Sequence, residues 1–360
     1  MVLAEACDPA QPPFQTPPAA RSPGEGSASV ITRPPSKARR KPADAACPSR
    51  DYALAPPADW RGACGAQLPD GVVLKVRVVG PADAPAVAVS GGISATCAVA
   101  DDAASGEAGW WRDLARAGAP LDPARIRIVS MEHVFGDGRA PLDLTPADQA
   151  SLWAHVLDEL GVARLSAFVG ASFGGMVALS FARAYPARLD RLAVIAAAHR
   201  PAPMAQAWRA VQRDILAFAE KCGAPEEGVA LARALAMTTY RSAGEFNTRF
   251  SCADGPDGGV ADYLRARGGA YRERFSAAAF TTLSASIDRH FERPEEIDVP
   301  ALIVGITSDQ IAPIADVREL AARLGGPAAF VALSSVYGHD GFLKDAAALA
   351  PHLAEFLAKG

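Results

Sequence analysis

No apolar run in this chain of 360 residues approaches the length of a membrane-spanning helix. It also lacks a broad basic face, a zinc-ligand spacing and a basic stripe interleaved with aromatic residues, so nothing points to a membrane, a nucleic-acid partner or a metal. Cysteine is sparse: Cys7, Cys47, Cys64, Cys97, Cys222 and Cys252 are scattered, and no pair has the C-x-x-C spacing. Reduced thiols in a cytoplasmic protein are therefore expected. The N-terminus has no unbroken apolar stretch after an early positive charge, as a secretory signal would, and Glu5, Asp8 and Glu25 argue against an organellar transit peptide. What remains, with 50% hydrophobic residues and a net charge of −4, is the composition of a soluble catalytic domain.

Residues 1–55 are rich in Pro, Ala and Ser, have no sustained periodicity and include a short basic cluster, Lys37 with Arg39, Arg40 and Lys41. Such a segment buries too little apolar surface to offset its ordering entropy, and a disordered tail is expected. From about Trp60 the chain alternates strand and helix patterns, as a mostly parallel sheet covered on both faces requires. Strands are expected over Val72–Val79, Ala86–Val89, Ile126–Val129 and Leu192–Ala198. Thr145 caps a helix with Pro146 in its first turn, and Gly161 stops it. The alternation lapses over 201–296, where helical patterns run from Ala207 to Ala219 and from Gly228 to Thr239. This reads as a helical lid inserted between two parts of a core, 60–200 and 297–360.

The chemistry centres on Gly170-Ala171-Ser172-Phe173-Gly174, a G-x-S-x-G placed directly after the apolar run Leu165–Val169. Glycines on both sides let a strand double back into a helix, lifting the Ser172 hydroxyl clear of the sheet as a candidate nucleophile. The helix that follows points its free N–H groups at any oxyanion formed there. Ala301–Ile306 reads as a buried parallel strand with Asp309 just beyond its C-terminal end, the candidate orienting acid. After a further strand, Phe330–Leu333, comes His339, the candidate base. Ser, then Asp, then His along the chain is the α/β-hydrolase order, so an α/β fold of that type is expected.

The details resemble one family, the homoserine O-acyltransferases of the MetX type. The resemblance runs from about residue 70 to the C-terminus, through Gly109-Trp110-Trp111, the elbow through Met176, the stretch from Ala232-Arg233 to Met237-Thr238-Thr239-Tyr240-Arg241-Ser242, Asp262-Tyr263-Leu264, and Tyr337-Gly338-His339-Asp340-Gly341-Phe342-Leu343. It implies that Ser172 is acylated by an acyl-CoA thioester, that His339 takes and returns the proton, and that Asp309 holds the imidazole. The oxyanion donors would be the backbone N–H groups of Phe173 and of Ile93, in the loop Ser90–Ser94. Arg233 and Tyr240, two turns apart on one predicted helix, would grip the acceptor amino acid, and Asp340 its ammonium group. A homodimer is implied as well. Acyl-CoA enters as substrate, so neither a cofactor nor a metal is expected.

The chain departs from the acetyl-transferring pattern in its shorter loop Ser130–Arg139 and in Gly92-Ile93-Ser94. The compact form resembles the branch that transfers succinyl, whose terminal carboxylate needs a cation, with Arg200 as one candidate. Succinyl-CoA and L-homoserine are the expected substrates. Acetyl-CoA as donor, L-serine as acceptor, a serine esterase and a noncatalytic relative are the alternatives.

Overall fold

The computed structural model describes residues 49–250 and 259–358. The basic cluster and the rest of the expected tail up to residue 48 lie outside them, but its end does not. Ser49–Leu54 forms strand β1, paired antiparallel with β2, Leu74–Val79. An exposed edge strand shows only a weak apolar alternation, here Tyr52 and Leu54, which left it unread in the sequence. Asp51 anchors it by accepting two hydrogen bonds from the buried Arg77 guanidinium, at 2.6 and 2.7 Å.

The later strands are β3 (Ala86–Ser90), β4 (Arg127–Met131), β5 (Ala167–Ala171), β6 (Leu192–Ile195), β7 (Ala301–Ile306) and β8 (Ala328–Leu333). Among the described residues they form one eight-stranded sheet in the order β1-β2-β4-β3-β5-β6-β7-β8. All pairs from β4 to β8 are parallel. Strands β3, β5, β6 and β7 are buried along their whole length, so they read as continuous apolar runs. Successive side chains feed opposite cores. Phe168 packs with Trp153 and Phe181 on one face, and Val169 joins Trp111, Leu114 and Ile306 on the other.

Helix α1 (Pro146–Glu159) starts at a capping box made by Thr145 and Asp148. Helix α2 (Phe173–Ala184) follows β5 directly. Between β6 and β7 lie α3 (Pro203–Lys221), α4 (Pro225–Tyr240), α5 (Ala243–Arg249), α6 (Val260–Arg272) and α7 (Ala277–Asp288), the helical insertion expected over 201–296. Helix α8 (Ile314–Arg323) joins β7 to β8, and α9 (Gly341–Lys344) and α10 (Ala346–Ala358) complete the described chain.

Candidate active site

Strand β5 ends at Ala171, and the chain reverses at Ser172 with φ 55° and ψ −122°, a left-handed conformation that a residue with a Cβ adopts only under strain. The reversal is tight enough that a Cβ at Gly174 would fall 2.2 Å from the Ser90 carbonyl oxygen, so only glycine fits. Oγ of Ser172 lies 2.7 Å from Nε2 of His339, and Nδ1 of His339 lies 2.7 Å from Oδ2 of Asp309. The other carboxylate oxygen of Asp309 accepts the N–H groups of Ile311 and Ala312 at 2.8 and 3.0 Å, which fixes its plane. Burial alone would lower the pKa of His339. The charge and hydrogen bond of Asp309, with the charge of Asp340, outweigh burial and raise it.

The loop after β3 runs beside this group. Gly174 donates to the Gly91 carbonyl at 2.9 Å, clamping loop and elbow together, and a Cβ at Gly92 would stand 3.9 Å from Oγ of Ser172. Neither the N–H of Phe173 nor that of Ile93 is taken by a hydrogen bond among the described residues. Both remain open to a ligand oxygen, as an oxyanion site requires. His133, after β4, also bonds the Gly91 carbonyl, with Nε2 at 3.0 Å, and sets its ring 4.7 Å from that of Phe173. Burial pushes it down to about 4 despite its contacts with the carbonyls of Gly91 and Gly92, so it is neutral at pH 7. On the far side, the Trp111 indole N–H donates to the Phe342 carbonyl at 2.8 Å, tying the His339 loop to the segment after β3.

Ser172, His339, Phe173 and Ile93 open into a cavity roofed by the helical insertion. Arg233 and Tyr240 of α4 both line it, with the guanidinium carbon 5.2 Å from the Tyr240 ring centroid. Among the described residues Arg233 has no carboxylate or hydrogen-bond partner. No group of His, Cys, Asp and Glu fit to hold a metal occurs among the described residues, and Cys64, Cys97 and Cys222 are free thiols.

Residues 134–346 match the family model of the alpha/beta hydrolase fold. The chain is 40% identical to a homoserine O-succinyltransferase of Xanthomonas campestris pv. campestris, over 76% of this chain and 75% of that protein. It is 35% identical to a homoserine O-acetyltransferase of Thermus thermophilus, over 67% of this chain and 70% of that protein. The chain belongs to the homoserine O-acyltransferase family. A crystal structure of homoserine O-acetyltransferase from Staphylococcus aureus superposes with a TM-score of 0.72 at 23% identity, covering 86% of this chain and 95% of that one, so the fold is shared as well.

Two residues that the family resemblance singled out have other partners in this homoserine O-acyltransferase family member. Asp340 is not among the residues lining the cavity. Its Oδ2 lies 2.8 Å from Nε of the buried Arg241, at an angle that makes the contact Coulombic rather than a hydrogen bond. Arg200 does line the cavity, but both its terminal nitrogens donate to Glu319, at 3.0 and 2.9 Å.

The structure also brings in a residue that sequence reasoning missed. Arg209 of α3 is 7% exposed and lines the same cavity, with Nε donating to Asp288 at 2.7 Å. Arg213 draws on the same carboxylate at 2.8 Å, so among the described residues two guanidinium groups share one anion and a positive charge remains uncompensated. Gln212 and Ser284 line the cavity as well, each adding polar atoms to its wall. The signal was present in the helix pattern. Ala205, Arg209, Gln212, Leu216 and Ala219 form the buried stripe of α3, and two of the five are polar.

Proposed function

We propose that this chain transfers a succinyl group from succinyl-CoA to the hydroxyl of L-homoserine, in the service of methionine biosynthesis, by way of an acyl-enzyme at Ser172. The observation that carries the reading is the pair of guanidinium groups, Arg233 and Arg209, in the one cavity that Ser172 and His339 also line. An acetyl group calls for one carboxylate site, that of the acceptor. A succinyl group calls for a second, and the under-neutralised Arg209 beside Gln212 suits it better than the Glu319-bound Arg200.

The chemistry runs in two half-reactions. Oγ of Ser172 attacks the thioester carbonyl as its proton passes to Nε2 of His339, and the N–H groups of Phe173 and Ile93 receive the oxyanion. The C–S bond breaks, and His339 returns the proton to the departing coenzyme A thiolate. The homoserine hydroxyl then attacks the ester carbonyl, giving its proton to His339. The C–O bond to Ser172 breaks, and the proton goes back to Oγ. Asp309 holds the Nδ1–H tautomer throughout and stabilises the imidazolium. Arg233 pairs with the acceptor carboxylate while Tyr240 packs against Arg233. Asp340, with one oxygen on Arg241, contributes its charge to the His339 imidazole. The insertion acts as a lid that keeps water from the ester, so that transfer outruns hydrolysis.

The reading extends to a homodimer in the cytoplasm. Met204, Val211 and Phe218 recur every seventh residue along α3 and are 60, 51 and 69% exposed, with Leu231 of α4 exposed nearby in chain order, an apolar face suited to a second copy. No described helix is long and apolar enough to cross a membrane. The deciding assay is release of free thiol from succinyl-CoA or acetyl-CoA with L-homoserine, L-serine or no acceptor, with Ser172→Ala as control. Sustained release, beyond one equivalent per site, that requires succinyl-CoA, homoserine and Ser172 is expected. Equal release without any acceptor would mean a thioesterase or esterase instead.

A further inference from the structure

Arg233 differs from its neighbours in how it is held. Arg200 rests on Glu319 and Arg209 on Asp288, but among the described residues the Arg233 guanidinium has only aromatic faces as partners. One is Tyr240, on the same helix. The other is Tyr271 of α6, whose ring centroid is closer, 4.7 Å from the guanidinium carbon. Tyr271 is buried and lines the cavity with Arg233 and Ser172.

Local packing brings that ring to its place. Gly268, one turn before Tyr271, lets α6 lie directly on α4, since a Cβ there would fall 2.4 Å from the Ala230 carbonyl oxygen. The Tyr271 ring is fixed from behind by stacking on Phe275, at 4.5 Å and 15°, and by the edge of Phe280 at 5.9 Å. Its hydroxyl has no hydrogen-bond partner among the described residues, and burial pushes the phenol well above its ordinary pKa, so the ring stays a neutral face. An aromatic face attracts a guanidinium through its quadrupole and restrains its plane while leaving the N–H edges open. A carboxylate at the same place would occupy the fork that a ligand carboxylate needs.

We infer that Tyr271 is a positioning residue for the acceptor: with Tyr240 it clamps Arg233 between two rings and presents an unoccupied guanidinium fork to the α-carboxylate of the amino acid. This rests on the functional reading above. It separates the two half-reactions, because Arg233 serves the acceptor and not the acyl donor.

The test uses the full chain with Tyr271→Phe and Tyr271→Leu. Two quantities are measured: the burst of coenzyme A released from succinyl-CoA without acceptor, and KM for L-homoserine. Phe keeps the face, and KM should stay within about twofold of the parent. Leu removes the face, and KM should rise roughly tenfold or more while the burst rate holds, the scale of a desolvated cation–π contact. Burst amplitude counts folded sites, so partial misfolding of the Leu variant does not distort its KM. An unchanged KM in Tyr271→Leu, a matching rise in Tyr271→Phe, or a burst slowed as much as KM is raised would each overturn the clamp. A parent enzyme with no burst and no homoserine dependence would instead overturn the functional reading itself.

Discussion

Ser172 and His339 are separated by 167 residues along the chain and by 2.7 Å between Oγ and Nε2. The contact is made by two loops at the C-terminal ends of parallel strands β5 and β8, with Asp309 after β7 completing the line at 2.7 Å.

Asp309→Asn tests whether that line works as a unit. An amide accepts at Nδ1 less well and stabilises no imidazolium. The expected result is a fall in kcat of roughly 10³–10⁴-fold with little change in KM for either substrate, read by steady-state thiol release. A loss below about tenfold would mean that Asp309 neither fixes the tautomer of His339 nor stabilises its imidazolium.

The pH profile follows from the same contacts. His339 must be neutral to act as base, and Asp309 and Asp340 together hold its pKa above the ordinary 6.5 against burial and the charge of Arg209. The acid limb of kcat/KM for the acyl donor should therefore fall above pH 6.5, with activity lost as pH drops through it. Asp340→Asn should move the limb to lower pH. A limb that stays in place in this variant would mean that Asp340 does not reach the imidazole.

Arg209→Met asks which acyl group the cavity is built for. Removal of the under-neutralised cation should lower kcat/KM for succinyl-CoA by about 10–100-fold and leave acetyl-CoA within a fewfold of its starting value. Equal losses for both donors would assign Arg209 to packing with Asp288 rather than to recognition.

Acid should unfold the protein through its buried imidazoles. Burial pushes His133 down to about 4 and His290 down to about 3. Below about pH 6.5 the unfolded chain binds these protons first, so stability is whole above that value and falls with pH, by about 1.4 kcal/mol per unit per imidazole at most. His339 acts in the opposite sense, since its raised pKa lends stability at low pH that is lost as pH rises. Urea midpoints taken from pH 7 to pH 4.5 should show the decline, and His290→Asn should flatten it. A slope unchanged by that substitution would place the acid-sensitive group elsewhere.

The central sheet and the line from Ser172 to Asp309 were legible because each depends on local pattern: apolar runs for buried parallel strands, and small or polar residues at their C-terminal ends. Strand β1 was not, because an exposed antiparallel edge needs only one weakly apolar face. His133, Arg209 and Tyr271 were missed for another reason. Each acts through a neighbour distant in sequence, Gly91, Asp288 and Arg233 respectively, and a single chain does not display such pairings. Asp340 shows the reverse. Its place beside the base was plain in the sequence, but Arg241 beneath it was not.

The hydrogen bond from Trp111 to the Phe342 carbonyl spans 231 residues, and it anchors the loop that carries the base. During synthesis the serine, its strained turn and both open N–H groups emerge well before β7 and β8. A growing chain thus holds the serine before Asp309 and His339 are made, and the hydrogen-bonded line from Ser172 to Asp309 can form only once β7, β8 and the loops after them are in place.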